Sequence, residues 1–404
     1  MLRRLATRSF GFLPKDVVIV SAQRTPIGSF MGSLSTVPAT KLGANAIRAA
    51  LQKINLDPKE VNEVIMGHVL QAGCGQAPTR QATLYAGLPQ ETICTGVNKV
   101  CSSGIKAVVY AAQSIALGVS DVIVAGGMES MSLAPFLLPN YRSGQLMGDG
   151  VLYDSITYDG LNCPFNKVLM GACTEKTIIK YGLTREEQDK FCIDSYKRAA
   201  DAWARGFFKT EVTPVEVEGK KGVVFVDEDE EFRKVKFEKI PSLKPVFDKN
   251  GSITAANASS INDGACALVV MSADKAKKLG YKPLAKILSF ADSETEPTHF
   301  GIAPAEAIKK TIERAGLTKE RVDLFEINEA FSAVVVANMK LLELDHSKVN
   351  VNGGAVSLGH PLGMSGARLI STLIYALKEK NKSIGVMGIC NGGGGATSMA
   401  IELV

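Results

Sequence analysis

Ala44-Asn45-Ala46-Ile47, followed by Leu56 and Val61, recurs as Ala305-Glu306-Ala307-Ile308, followed by Leu317 and Val322. Every matched pair is separated by the same 261 residues. A constant offset through a helix, a turn and a strand start means that one unit of chain is used twice. Two unrelated amphipathic helices would share the apolar spacing but not the turn and strand behind it. In the first copy Leu42, Ala46, Ile47, Ala50, Leu51 and Ile54 predict a helix from Thr40 to Ile54. A β-branched strand over Val17–Ala22 precedes it, and strand-like Val61, Val64 and Ile65 follow.

The echo extends further along each half. Cys101-Ser102-Ser103-Gly104 opens a helical run to Leu117; Val122 to Ala125 reads as a strand and Gly126-Gly127 as its turn. In the second half Ser365-Gly366-Ala367 opens a run to Leu377, Ser383 to Gly388 reads as a strand, and Cys390-Asn391-Gly392 to Gly395 as its glycine turn. Strand, helix, strand and glycine in both halves predict a duplicated α/β fold with much parallel pairing. Residues from about Leu133 to Gly251 break the repeat with turn signals (Pro139-Asn140-Tyr141, Asp149-Gly150) and a charged helix over Thr184–Trp203. Acids over Asp227–Glu231 then give way to Arg233, Lys234, Lys236 and Lys239. Insertions on a rigid scaffold commonly carry binding contacts. The expected division is 16–133 plus 252–278 for the first half, 134–251 for an inserted loop domain and 279–404 for the second half.

Composition narrows the function. With 46% hydrophobic and 22% charged residues the chain is an ordinary globular protein rather than a disordered one. The net charge of +5 is interspersed, and one Trp and 6% aromatics leave little for base stacking, so no nucleic-acid partner is expected. No apolar run approaches the ~18 residues of a membrane span. Residues 1–15 hold Arg3, Arg4 and Arg8 and no acid before Asp16, the composition of an organelle transit peptide. The eight cysteines form no C-x-x-C pair, which argues against zinc and thioredoxin chemistry, and reduced thiols are expected.

Three segments bring reactive side chains to places suited to chemistry. Cys101 stands at a predicted helix start, where the macrodipole and free N–H groups favour thiolate, though most cysteines are inert core residues. His360 alone of the four histidines lies in a glycine-dense loop, Asn352-Gly353-Gly354 to Gly363, where backbone approaches a ligand closely. Cys390 precedes four glycines whose N–H groups suit an oxyanion; a G-x-G-x-x-G dinucleotide pattern is absent. Asn328-Glu329-Ala330-Phe331 follows the strand Leu324–Ile327, its plainer reading being a helix N-cap.

Together these segments resemble the thiolase family over nearly the whole chain after residue 15. Its blocks are matched in order by Asn98-Lys99-Val100-Cys101-Ser102-Ser103-Gly104, Gly126-Gly127-Met128-Glu129-Ser130-Met131-Ser132, Ala255-Ala256-Asn257-Ala258-Ser259 with Asn262-Asp263-Gly264-Ala265, Asn328-Glu329-Ala330-Phe331, Gly359-His360-Pro361 and Cys390-Asn391-Gly392-Gly393-Gly394. The resemblance implies a thiolase-like duplicated αβαβα fold with an inserted loop domain. It implies an acetyl-CoA C-acetyltransferase that condenses two acetyl-CoA to acetoacetyl-CoA and CoA, reversibly; the alternative is a broader-chain 3-ketoacyl-CoA thiolase. Cys101 would be the acylated nucleophile, His360 its base and Cys390 the second acid/base. His360 with a water on Asn328 would form one oxyanion hole, and the N–H groups of Cys101 and Gly392 the other.

By the same likeness, coenzyme A would be held by Met170, Tyr196, Lys234, Val235, Lys236, Lys239 and Ser259. Potassium would be held by Tyr196 and the backbone oxygens of Ala255, Ala256, Ala258 and Val356, carbonyls being suited to a hard cation. A homotetramer in the mitochondrial matrix is expected, with no redox cofactor. Two departures stand out: Leu169-Met170-Gly171 where the family commonly has His-Met-Gly, and Phe300-Gly301 where mitochondrial relatives often have Phe-Pro. A decarboxylating ketosynthase would carry a Cys-His-His set, which Asn328 and Cys390 contradict. A non-catalytic lipid-binding relative would be expected to have lost Cys101 or Cys390.

Overall fold

Every residue of the first strand, β1 (Val17–Arg24), is buried, because helices cover both of its faces. The computed structural model describes residues 12–219 and 222–404, so the arginine-rich segment up to residue 11 lies outside the described residues. After β1 come the two-residue β2 (Gly28–Ser29), α1 (Ala39–Gln52), β3 (Glu63–Gly67), α2 (Pro78–Tyr85), β4 (Ile93–Val97), α3 (Ser103–Ala116) and β5 (Val122–Ser130). The segment that breaks the repeat contains three hairpins: β6 (Phe136–Leu137) with β7 (Tyr153–Asp154), β8 (Asn162–Cys163) with β9 (Val168–Leu169), and β10 (Val215–Gly219) with β11 (Gly222–Val226). Between the second and third lie α4 (Met170–Tyr181) and α5 (Arg185–Ala204). The chain then forms β12 (Asn262–Ser272), α6 (Ala273–Leu279), β13 (Ala285–Glu294), α7 (Ala303–Arg314), β14 (Leu324–Ile327), α8 (Ser332–Leu342), α9 (Ala355–Leu358), α10 (Leu362–Glu379), β15 (Ile384–Asn391) and β16 (Gly395–Leu403).

The 261-residue offset is visible in the elements. The single turns Pro58–Glu60 and Lys319–Arg321 obey it, as do the first residues of β3 and β14, Glu63 and Leu324. The main sheet runs β14-β15-β16-β13-β1-β12-β5-β3-β4, with β2 beside β12. Its halves meet where β1 pairs with β13 through Val18↔Lys286 and Ile19↔Ala285. Parallel pairing is confined to β3 with β4 and β5, and β14 with β15; the other ladders are antiparallel, so the sheet is more mixed than the sequence predicts.

Period-two alternation sorts each strand between two layers. On β12, Ala265, Ala267, Val269 and Met271 join the cluster containing α1, while Cys266, Leu268 and Val270 join the cluster of α3 and α10. On β15, Met387 and Ile389 join that same central cluster, while Val386 and Cys390 pack with α7 and α8. The result is five layers, with α3 and α10 in the middle. Accordingly α10 is buried at every residue from Leu362 to Leu377.

Gly126 and Gly127 are not a turn. β5 runs through them to Ser130. A side chain there is excluded by close approach: a Cβ on Gly126 would lie 1.9 Å from Cys266 O, and one on Gly127 1.9 Å from Gly363 O. The second helix of the central pair starts at Leu362, three residues before the expected Ser365, while Thr184 opens α5 with a capping box to Glu187. The segment carrying α5 is fastened to β1 by buried charges. Arg24 donates to Glu211 (2.6 Å) and Asp229 (2.7 Å), and Trp203 Nε1 donates to Asp229. Burying ions this way is costly unless all are paired, and here they are.

Candidate active site

α3 and α10 each place a reactive residue two positions ahead of their first turn: Cys101 before Ser103, and His360 before Leu362. Cys101 emerges from a strained bend. Val100 adopts φ +47°, which a β-branched residue rarely tolerates. The bend is held by Asn98 Oδ1, which accepts from Val100 N (3.0 Å), and by Ser103 Oγ, which accepts from Lys99 N (2.8 Å) and donates to Val100 O (2.6 Å). Such strain persists where surrounding contacts over-determine it.

The helix start does not activate the Cys101 thiol as the sequence suggests. Burial pushes it up to about 12, only partly offset by the N–H groups of Gly392 and of Cys101 itself, which face the sulfur. The free thiol is therefore protonated at neutral pH and requires a base. Cys390, at the end of β15, is buried; its thiol is pushed up by burial and by the neighbouring Cys101.

His360 has a fixed tautomer. Ser365 Oγ donates to Pro361 O (2.7 Å) and lies 2.6 Å from His360 Nδ1, so it must accept the Nδ1 proton. That leaves the lone pair on Nε2, 3.5 Å from Asn328 Nδ2. Burial and the positive charge of Arg368 hold the imidazole down at about 3, keeping it neutral. Asn328 is not an N-cap: α8 starts at Ser332 with Phe331 as its cap. Asn328 is wholly buried, and its Oδ1 has no partner among the described residues, a position suited to a bridging water. Ser365 was not singled out from sequence; a hydroxyl five residues past a loop histidine, one turn into a helix, was the signal available.

Cys101, His360 and Gly392 line a cavity of about 560 Å³ together with Met170, Ser259, Ala255 and Ala258. Its remaining wall is largely apolar, with Met131, Leu161, Leu169, Phe247, Phe300 and Phe331. Of the two sequence departures, Leu169 borders the cavity, whereas Gly301 does not line it and only its neighbour Phe300 does. A second cleft of about 950 Å³ shares Met170 and Gly392 with it. Asn328 and Cys390 are not among the lining residues of the cavity.

The remaining expected contacts are spread more widely. Lys236 and Lys239 are exposed, and among the described residues neither forms an ion pair. Lys234 is engaged by Ser29 Oγ and by Glu231, which borders the cavity; Val235 is half-buried against the core. Ser259 Oγ donates to Ala330 O (2.9 Å). Tyr196 is buried on α5 in the core cluster that also contains Ala256 and Val356. The carbonyls of Ala255, Ala258 and Val356 accept no hydrogen bond from a described residue, and that of Ala256 accepts only the Cys192 thiol (3.0 Å). Val356 N donates to the buried carboxylate of Glu329 (3.0 Å), which Ser195 and Asn350 also satisfy.

Comparison with known proteins gives a consistent result. Residues 17–274 match the family model for the thiolase N-terminal domain, and residues 281–403 that for the thiolase C-terminal domain. A mitochondrial acetyl-CoA acetyltransferase of Bos taurus is 55% identical over 404 residues, covering 99% of this chain and 94% of the relative. A cytosolic acetyl-CoA acetyltransferase of Gibberella zeae is 52% identical, covering 96% of this chain and 98% of the relative. Among solved structures, the Acat5 thiolase of Ascaris suum in complex with coenzyme A superposes with a TM-score of 0.91 at 45% identity. The match covers 96% of this chain and all of that one.

Proposed function

The chain belongs to the thiolase family, and on that premise we propose how it acts as an acetyl-CoA C-acetyltransferase. It joins two acetyl-CoA into acetoacetyl-CoA and CoA, and catalyses the reverse cleavage. The observation that carries the assignment of roles is the neutral His360, its Nε2 lone pair left free by Ser365, in one cavity wall with a protonated Cys101.

In the first half-reaction His360 Nε2 takes the Cys101 proton as sulfur attacks the thioester carbonyl. The carbonyl oxygen becomes an oxyanion beside the N–H groups of Cys101 and Gly392, and CoA thiolate leaves, taking the Cys390 proton; Cys390 becomes a thiolate and His360 keeps its proton on Nε2. The product is acetyl-Cys101. In the second, the Cys390 thiolate removes a methyl proton from another acetyl-CoA. The enolate oxygen is stabilised by the Nε2–H of His360 and a water on Asn328, and its carbon attacks the acetyl-enzyme, releasing Cys101 thiolate, which takes the His360 proton back. Near-balanced thioester exchange lets both directions run. The coenzyme lies along Met170 and Ser259, with its phosphates toward Lys234, Lys236 and Lys239, and Val235 and Tyr196 supporting that wall.

Three carbonyl oxygens that accept no hydrogen bond from a described residue, on Ala255, Ala258 and Val356, fit a potassium ion together with Ala256 O and Tyr196. When bound, the ion supplies positive charge for those oxygens and ties α9 to the 255–258 loop. A melting temperature that rises with KCl but not with choline chloride supports this assignment; equal curves refute it. The protein is assigned to the mitochondrial matrix, in line with its relatives named mitochondrial and the arginine-rich N-terminus, and to a homotetramer on the family resemblance alone. Import of a full-length fusion, lost on removing residues 1–15, tests the address.

Acetoacetyl-CoA cleavage with free CoA tests the activity. Wild-type turnover is expected and the Cys101→Ala variant is expected to be inert; full turnover by that variant would sink the assignment. The apolar wall past Leu169 and Phe300 favours a second reading, acceptance of longer acyl chains. A chain-length profile separates them, the acetyl-specific enzyme losing activity beyond the four-carbon substrate.

A further inference from the structure

Ser102 is the N-cap residue of α3, yet its hydroxyl caps nothing in that helix. Serine at this place ordinarily accepts from the N–H two or three residues on. Here Oγ is turned away from the helix, wholly buried, toward the other half of the molecule. It lies 2.9 Å from Asn391 Oδ1 and 3.3 Å from Ile389 O. Those two acceptors flank Cys390. Whichever takes the single proton, the residue after one cysteine is hydrogen-bonded to a neighbour of the other.

Asn391 extends the connection. Its Nδ2 donates to Gly392 O (2.9 Å), and Asn391 itself is clamped against Gly395, where an added Cβ would lie 2.6 Å from the amide. The path from Cys101 through Ser102 and Asn391 therefore ends on Gly392. Its two ends carry the two N–H groups that face the Cys101 sulfur.

A matching connection runs the other way. The sheet registers pair Met66 with Gly126 and Ile327 with Gly388, so Glu129 and Asn391, three residues further along, hold corresponding places. Glu129 accepts from Gly363 N (2.8 Å), beside the start of α10 and three residues past His360. Each half thus reaches from the end of a strand to the helix start of the other half.

We propose that Ser102 and Asn391 are positioning residues, a hydrogen-bonded strap that fixes the Cys101 bend against the Cys390–Gly392 turn. The inference rests on the proposed roles of Cys101 and Cys390. The strap sets the spacing of the paired N–H groups and of the two sulfurs; neither side chain touches substrate. A misplacement of about 1 Å at a reacting centre costs on the order of a hundredfold in rate.

The test uses Ser102→Thr, Ser102→Val, Asn391→Ala and the double variant Ser102→Val/Asn391→Ala in the full-length chain. Threonine and valine add the same bulk, so only the hydroxyl separates the first pair. Expected is a kcat for acetoacetyl-CoA cleavage lowered on the order of a hundredfold in Ser102→Val, with KM for CoA held. Ser102→Thr recovers most of the loss, and the double variant is no worse than its poorer single parent. Equal kcat for Ser102→Thr and Ser102→Val, or losses that multiply in the double variant, would overturn the strap. Should Cys101→Ala remain active, the nucleophile assignment fails instead, a separate outcome measured in the same assay.

Discussion

At the end of β3, Gly67 and His68 hold the places that Asn328 and Glu329 hold 261 residues later, at the end of β14. At the end of β5, Met128 and Glu129 correspond by sheet register to Cys390 and Asn391. The first set is sealed. Glu129 accepts from Val69, Leu70 and Gly363, and a Cβ on Gly67 would meet Gly104 N at 2.5 Å. In the second set Glu329 and Asn391 are likewise spent on the fold, but Asn328 and Cys390 are left open. Asn328 Oδ1 is buried without a partner among the described residues, and the Cys390 thiol neighbours Cys101. Duplication supplies the same placement twice; at these strand ends the proposed chemistry falls to the copy with side chains not consumed by the fold. In the sealed copy one His68 ring nitrogen also has no partner among the described residues, but its other nitrogen lies 3.3 Å from Glu129.

Exchanging matched residues for alanine sharpens this contrast most. Cys390→Ala is expected to lose roughly 10²–10⁴ of turnover, the range for a general acid or base, with melting little changed. Met128→Ala, at the corresponding buried place, is expected to lose about 2–5 kcal/mol of stability while the folded fraction keeps its turnover. Steady-state cleavage and denaturant titration of both variants check the pair, and an active Cys390→Ala enzyme would break the comparison. Asn328→Ala against Gly67→Ala repeats it at smaller scale. The first should cost about 10²–10³ in kcat. The second overpacks the β3–α3 contact by about 1–3 kcal/mol and spares kcat.

The helix starts differ in the same way. Cys101 at about 12 and His360 at about 3 make a neutral thiol–imidazole pair in the free enzyme rather than an ion pair. Iodoacetamide should therefore modify Cys101 at a rate that climbs about tenfold per pH unit from 7 to 9, following the thiolate fraction. A plateau near neutrality would show an ion pair and contradict the burial argument.

The duplication and the residues at the ends of its elements were legible because apolar periodicity and a fixed offset are local properties of the chain. Cys101 and His360 stood out by chemistry of side chain and glycine context. What the sequence misjudged depends on contacts between distant parts of the chain. Gly126-Gly127 reads as a turn until Gly363 O and Cys266 O are seen to exclude any Cβ. A helix start suggests a thiolate until burial raises the thiol. Ser102 and Asn391 carried no local signal, since a partner hundreds of residues away has no imprint on a side chain's neighbours.

The sealed copy offers the smallest and most discriminating test. Burial holds Glu129 at about 7, above the ordinary 4.5, so the native state keeps a proton that the unfolded chain releases. Its stabilising contribution is complete below pH 4.5 and is lost as pH rises through 7, on the order of 3 kcal/mol. Its neighbour His68 runs oppositely. Burial holds that imidazole at about 4 rather than 6.5, so its contribution is complete above pH 6.5 and is lost as pH falls through 4. Between 4.5 and 6.5 the two slopes oppose each other, flattening the wild-type profile there. Glu129→Gln removes one of them. Whatever its vertical offset, the variant should lose stability more steeply on acidification from pH 6.5 to 4.5, as urea titrations at intervals of pH would record. Parallel profiles would mean that Glu129 stays ionised in the native state, its three N–H donors outweighing burial, and the sealed copy would then hold a charge where the comparison places a neutral acid.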